Sequence, residues 1–324
     1  MQNQDKDKEK RINQLLGQLE ERYSKDGQDL SGHLEGLLNS RYINYWDYIR
    51  LDTLLSLQNP VTDYPDEFIF ITYHQITELY FKMVLHELKQ LRDAEQITTE
   101  FFQLRLNRAN WFFGQLIQSF DIIAVGMEQE QFLKFRTALH PASGFQSVQY
   151  RLVELASSDL INLVDKDHRD GFDDYSTIDQ MFEKIYWKQG AIDKETGKKT
   201  LTLKLFEEKY TDLLLRTANE WNVRNLYSCF KKLPFEDQKD PALVAAMKTY
   251  DAHVNINWPL AHYKYAVSYL IKSKKIAPAT GGTNWLNYLP PKFQKRVFFP
   301  SLYTETEIEE WGRKWVETEV FSKF

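Results

Sequence analysis

The sequence predicts an all-α protein, a large helical bundle preceded by an N-terminal helical arm. Long runs repeat apolar residues at i, i+3, i+4 and i+7, the spacing that gathers them on one face of a helix. With only 13 Gly and 10 Pro among 324 residues, the chain lacks the closely spaced turn residues of an all-β architecture. Its 21 Phe, 18 Tyr and 8 Trp supply bulky side chains for a substantial core, which a chain of this length can bury.

Residues 1 to 24 read as a charged helix with a narrow apolar seam of Ile12, Leu15, Leu16 and Leu19, suited to packing on a neighbouring subunit. We take 1–40 as arm and linker and 41–324 as the main helical domain. Tyr42, Tyr45 and Tyr48 then recur every three residues, before Leu51, Leu54, Leu55 and Leu57 continue into a short helix ended by Asn59-Pro60. These tyrosines read equally as core or as a binding surface, since each offers an apolar face and a polar tip.

Asp66 to Leu88 is the strongest helix. Phe70, His74, Thr77 and Phe81 fall on one stripe, widened by Ile69, Ile76, Tyr80 and Val84. A histidine on that apolar face must meet an acceptor, a metal or a ligand, because a buried imidazole without a partner costs free energy. The plainest partner is a backbone carbonyl. The apolar run from Thr99 to about Met127 reads as one long core helix, and Gln129 to Leu139 as a further turn or two carrying Arg136.

Pro141-Ala142-Ser143-Gly144 breaks the pattern, and Phe145 to Leu160 restarts it. Arg136 followed by this small-residue turn suggests an anion cradle, with Ser143 and Gly144 offering free amides where a new helix begins; a surface salt bridge is the other reading of the arginine. Between 162 and 200, the polar stretches DKDHRDGFDDYS and KQGAIDKETGKKT read as loops inserted around one helix, with His168 solvated.

Leu201 to Cys229 and Pro241 to Tyr250 resume helical periodicity. In NINWPLAHYKYAVSYLIK, Pro259 suits the first turn of a helix, and His262, Ala266, Tyr269 and Ser273 follow on one side. Ala266 leaves room for a planar group beside His262. The segment Ala279 to Trp285 is a glycine loop that lets backbone approach a ligand. No GK[ST] follows, so it is not a phosphate loop.

The formal charge of −5, spread over a mixed lysine and glutamate surface, gives no basic field for nucleic acid. No apolar run is long enough to span a bilayer, and MQNQDKDKEKR is too polar for a secretory signal. A cytoplasmic protein without a membrane partner is expected. The single cysteine, Cys229, excludes an internal disulfide framework and a cysteine zinc cluster, which leaves histidines or carboxylates for any metal. His86-Glu87 lacks the histidine of a zinc protease, G-x-S-x-G is absent, and His33, His86, His140 and His253 read as structural.

Four segments occur in a characteristic order: YWDYIRLDTLLSLQ; DEFIFITYHQITELYFK with LHEL; FRTALHPASGFQSVQYR; and WPLAHYKY followed by ATGGTNWLNYL. Through them the chain resembles the tryptophan 2,3-dioxygenase family from about Tyr42 to Leu289. The resemblance implies an all-helical enzyme, usually a homotetramer, whose bundle encloses a b-type haem. Its reaction would insert both atoms of O2 across the indole C2–C3 bond of L-tryptophan to give N-formylkynurenine, a step of tryptophan catabolism by the kynurenine pathway.

Carried over by motif position, His262 would be the iron ligand and His74 the distal catalytic residue close to the indole N–H. Phe70 would pack on the indole, and Arg136 would pair with the substrate carboxylate. Leu139 and Ser143 would line the pocket, and Thr280 would hold the amino acid end. Tyr45, Tyr48 and Ile49 match residues that in relatives reach into a neighbouring subunit's site. The chain departs from the family pattern at Ala279, Thr283 and Asn284 around the glycine loop, at Ser268 to Ile271 after the histidine, at Phe132 and at Ile49. Two alternatives remain at this stage: a divergent haem oxygenase of another indole or aromatic amino acid, and a haem-binding protein or helical scaffold without turnover.

Overall fold

The computed structural model describes residues 2–40, 44–173, 175–192, 196–272, 275–276 and 295–312. Helices dominate them: α1 (Gln2–Lys25), α2 (Leu30–Asn39), α3 (Tyr45–Ile49), α4 (Leu51–Leu55), α5 (Asp66–Asp93), α6 (Thr99–Gln118), α7 (Asp121–Gly126) and α8 (Gln129–Phe135). After two short 3-10 turns come α9 (Val148–Ser157), α10 (Ile178–Glu183), α11 (Tyr186–Gly190), α12 (Leu201–Trp221), α13 (Leu226–Lys231), α14 (Pro241–Ala252), α15 (Trp258–Leu270) and α16 (Glu305–Glu309). Strand is confined, among the described residues, to a short antiparallel pair, Ile271–Lys272 with Lys275–Ile276, and to isolated bridges. The all-α expectation therefore holds.

The chain divides into two compact units, Met1–Leu57 and Gln58–Phe324. In the first, α1 and α2 pair, while the seam residues Ile12, Leu15 and Leu19 stay exposed. Asp29 caps α2 by accepting from the amides of Ser31 and Gly32. Tyr45, Tyr48 and Ile49 lie on α3 of this unit.

In the second unit α5 is the central element, packed along α6 and α9, with α14 on α6 and α12 on α9. Its buried residues Tyr73, Thr77, Phe81, Val84, Leu88 and Leu91 step by three or four, and α6 answers with Phe102, Leu106, Ala109, Phe113 and Leu116. Two such stripes interdigitate along their length. Caps fix the helix starts: Thr98 accepts from Phe101 N, Ser147 from Tyr150 N, Thr200 from Leu203 N and Asp240 from Leu243 N.

Two expectations are corrected. The run from Thr99 to Met127 is two helices, because α6 ends at Gln118. The Ser119 hydroxyl donates to the Leu116 carbonyl at 2.6 Å, and a side chain that takes a backbone acceptor offers the chain a way out of the helix. The turn lets Phe120, Ile123 and Met127 join a second apolar cluster, apart from the main core.

The second correction is the supposed loop insertion at 162–200. It carries α10 and α11 and is built into the main core through Phe182, Ile185, Tyr186, Trp187 and Ala191. Trp187 is among the largest fully buried side chains. Of the residues singled out in the sequence, Tyr42, the glycine loop with Ala279, Thr280, Thr283 and Asn284, and the side chains of Ala266 to Ile271 lie outside what is described.

Candidate active site

The N-terminal half of α5 is pinned to α8. Asp66 accepts from the Glu128 amide at 2.5 Å, and its own amide donates to Gln131 at 3.2 Å. Buried Glu67 takes the amides of Val61 and Thr62, so the chain entering the helix is fixed as well. This brings Phe70 and His74 beside Phe132 and Phe135: the Phe70 ring lies 5.9 Å from Phe132, 5.6 Å from Phe135 and 4.1 Å from His74.

The second apolar cluster, Tyr73, Phe120, Ile123, Met127, Phe132, Phe135 and Tyr265, forms the wall, with Phe70, Leu139, Trp258 and Ala261 packed against it. On α15, Trp258, Ala261, His262 and Tyr265 follow at i, i+3, i+4 and i+7, so one helix face carries them all towards this cluster. The Phe120 ring stacks on His262 at 6.0 Å and meets Trp258 at a tilt, 4.7 Å between centroids.

The two imidazoles expected to face one site are brought together. Burial pushes His262 down to about 4, and the nearby His74 adds to that shift. His74 is also held low, chiefly by burial. Both rings are therefore neutral at pH 7, the form that ligates metal or accepts a hydrogen bond. The backbone-carbonyl partner anticipated for His74 is present, with Nδ1 2.7 Å from Phe70 O. A carbonyl only accepts, so Nδ1 carries the proton and Nε2 keeps its lone pair.

Arg136 caps α8 and opens the 3-10 turn Arg136–Leu139. It is buried, and burial pulls its guanidinium below the ordinary value, though arginine stays charged. Arg136 is therefore not a surface side chain. Leu139, at the end of the same turn, touches the second cluster.

Of the two amides anticipated for an anion cradle, that of Ser143 is already taken. Ser143 N donates to Gln146 Oε1 at 3.2 Å and Phe145 N to the Ser143 hydroxyl at 3.4 Å, a capping box that uses those amides internally. What the turn brings to the site is Gly144, where a Cβ would stand 3.7 Å from His262 Cε1. Thr202 holds the turn from behind, donating to the Pro141 carbonyl at 3.2 Å and accepting from Gln146 at 3.3 Å.

Sequence reasoning missed Phe120, Tyr73 and Phe135 as walls. Phe120 was hidden inside a run that reads as continuous helix, and only the serine before it signals a break. Among the described residues no group of three or more His, Cys, Asp or Glu is placed to hold a bare metal ion. The residues present fit a flat group held through a single imidazole. The donor set agrees: one neutral histidine, a flat aromatic neighbour and a glycine without a side chain to block the approach.

A family model described as tryptophan 2,3-dioxygenase matches residues 34–201. The tryptophan 2,3-dioxygenase of Bacillus thuringiensis subsp. konkukian is 28% identical over 278 residues, 81% of this chain and 91% of that protein. The one from Ruegeria sp. strain TM1040 is 44% identical over 114 residues, 35% of this chain and 40% of that protein. That of Nocardioides sp. is 42% identical over 123 residues, 36% and 45% of the two chains. The matches of higher identity thus span less than half of those relatives.

Proposed function

The chain belongs to the tryptophan 2,3-dioxygenase family, and from that premise we propose that it inserts both atoms of O2 across the C2–C3 bond of L-tryptophan to give N-formylkynurenine. The observation that carries this reading is that the His74 and His262 rings both pack on one apolar cluster, through Tyr73 and Phe120, with buried Arg136 on the adjoining turn. Haem b, held through His262, supplies the iron at which dioxygen becomes reactive towards an electron-rich indole.

The protein's own groups bind, orient and keep water out. Phe70 supplies flat apolar surface for the indole, backed by the buried rings of Phe132 and Phe135. Nε2 of His74 accepts the indole N–H and so fixes the orientation of the ring. Arg136 grips the substrate carboxylate with its planar fork of donors, while Leu139 and Ser143 close the pocket. Thr280 is assigned to the amino acid end by its motif alone.

Tyr45 and Tyr48 are 71% and 77% exposed, as side chains that complete a neighbouring subunit's site need to be in a lone chain. We therefore expect a homotetramer. No described helix is long and apolar enough to cross a membrane, and we assign the protein to the cytoplasm.

The test is direct. Expressed with a haem supply, the purified protein should show a Soret band that His262→Ala abolishes. Reduced and mixed with oxygen and L-tryptophan, it should produce N-formylkynurenine absorbance. A colourless preparation overturns the reading, and a coloured one that turns over only other indoles overturns the substrate.

A further inference from the structure

The helix that bears His262 has two working faces. Trp258, Ala261, His262 and Tyr265 look into the site cluster, while Ile256 and Leu260 pack behind on Val297 and Trp311. The backing comes from the last described segment, 295–312. Between α14 and α15 the chain makes a π turn, His253–Asn257. A π turn interrupts the regular bond ladder and rotates whatever follows it. The direction of His262 therefore depends on how this joint is held.

One carboxylate is among the groups that hold it, beside the Tyr150 hydroxyl, which donates to Val254 O at 2.9 Å. Asp251 is fully buried, on the last turn of α14. Its Oδ1 accepts from Asn255 Nδ2, inside the π turn, at 2.7 Å. Its Oδ2 accepts from the amides of Phe298 and Phe299 at 3.0 and 3.3 Å. One oxygen thus braces the joint and the other fastens the segment behind it. The same segment has a separate tie to α9, because the Ser158 hydroxyl donates to Phe298 O at 2.6 Å.

We propose that Asp251 is a positioning residue for His262, setting the angle of its imidazole by locking the π turn against the Phe298–Phe299 backbone. This rests on the reading of His262 as the haem ligand. Groups that orient a metal ligand from behind typically account for about ten- to a hundredfold in retention. Asp251 stands further back than such a neighbour, so the lower end applies.

The experiment uses haem-loaded protein, following haem transfer to excess apomyoglobin and the iron–histidine Raman band of the ferrous form. Asp251→Asn should lose haem about tenfold faster and shift the band. Ser158→Ala, which loosens the same segment without touching the joint, should leave both unchanged. Asn255→Ser, cutting only the arm within the turn, should shift the band less and in the same direction, and it carries the test if Asp251→Asn does not fold. An unmoved band in the Asp251 and Asn255 variants, or an equal shift in Ser158→Ala, overturns the proposal. A wild-type protein without a His262-dependent Soret band overturns instead the reading beneath it.

Discussion

Nδ1 of His74 and the carbonyl oxygen of Phe70, one helical turn earlier, lie 2.7 Å apart. That contact decides the tautomer and leaves Nε2 as an acceptor. An indole N–H donated to it is a neutral hydrogen bond of about 1 kcal/mol, roughly fivefold. We therefore expect kcat/KM for L-tryptophan to exceed that for 1-methyl-tryptophan by such a factor, and the ratio to collapse in His74→Ala. Steady-state kinetics on both substrates check this. An unchanged ratio would show that His74 does not accept the indole proton.

Arg136 makes a different kind of contact. A charge-assisted pair with a carboxylate is worth about 1.5–3 kcal/mol, roughly 10- to 150-fold. Arg136→Ala should raise KM for L-tryptophan by that range and leave kcat much less affected. Tryptamine, which has no carboxylate, should be handled equally by both proteins. Arg136→Lys should recover only part of the loss, since a point charge does not reproduce the fork.

Gly144 separates size from presence. A methyl group there would meet His262 Cε1 at an ordinary contact distance of 3.7 Å. Gly144→Ala should therefore still bind haem with a normal Soret band. Gly144→Val reaches roughly 1.5 Å further and should bind it poorly. Equal binding by the two variants would mean that the turn moves away from the site when haem is bound.

The helical class, most helix positions and the placing of Phe70 and His74 on one apolar helix face were legible because period and motif are local properties. The break at Ser119 was not, since it depends on a hydroxyl finding one carbonyl. Nor was the part of 162–200 that packs into the core, where polar flanks mask a short apolar run whose partners lie far away in sequence. That correction is testable through Trp187, fully buried on α11. Emptying such a site typically costs about 3–5 kcal/mol, so Trp187→Ala should lower the urea midpoint strongly, where an aromatic in a surface loop would hardly matter.

The two site histidines make stability depend on pH with a definite sign. Burial, with His74 nearby, takes His262 from its ordinary 6.5 to about 4, and burial also lowers His74. In the unfolded chain each imidazole takes up a proton as pH falls through 6.5, while the folded protein holds His262 neutral until near 4. Between these values the unfolded state binds more protons, so stability is full above about 6.5 and is lost as pH falls towards 4. Carboxylates titrate in the same range, which makes the informative quantity a difference. In haem-free protein the urea midpoint should fall more between neutral pH and pH 4.5 for wild type than for His262→Gln, which lacks one of the two imidazoles. Parallel curves for the two proteins would mean that His262 is solvated in the folded protein.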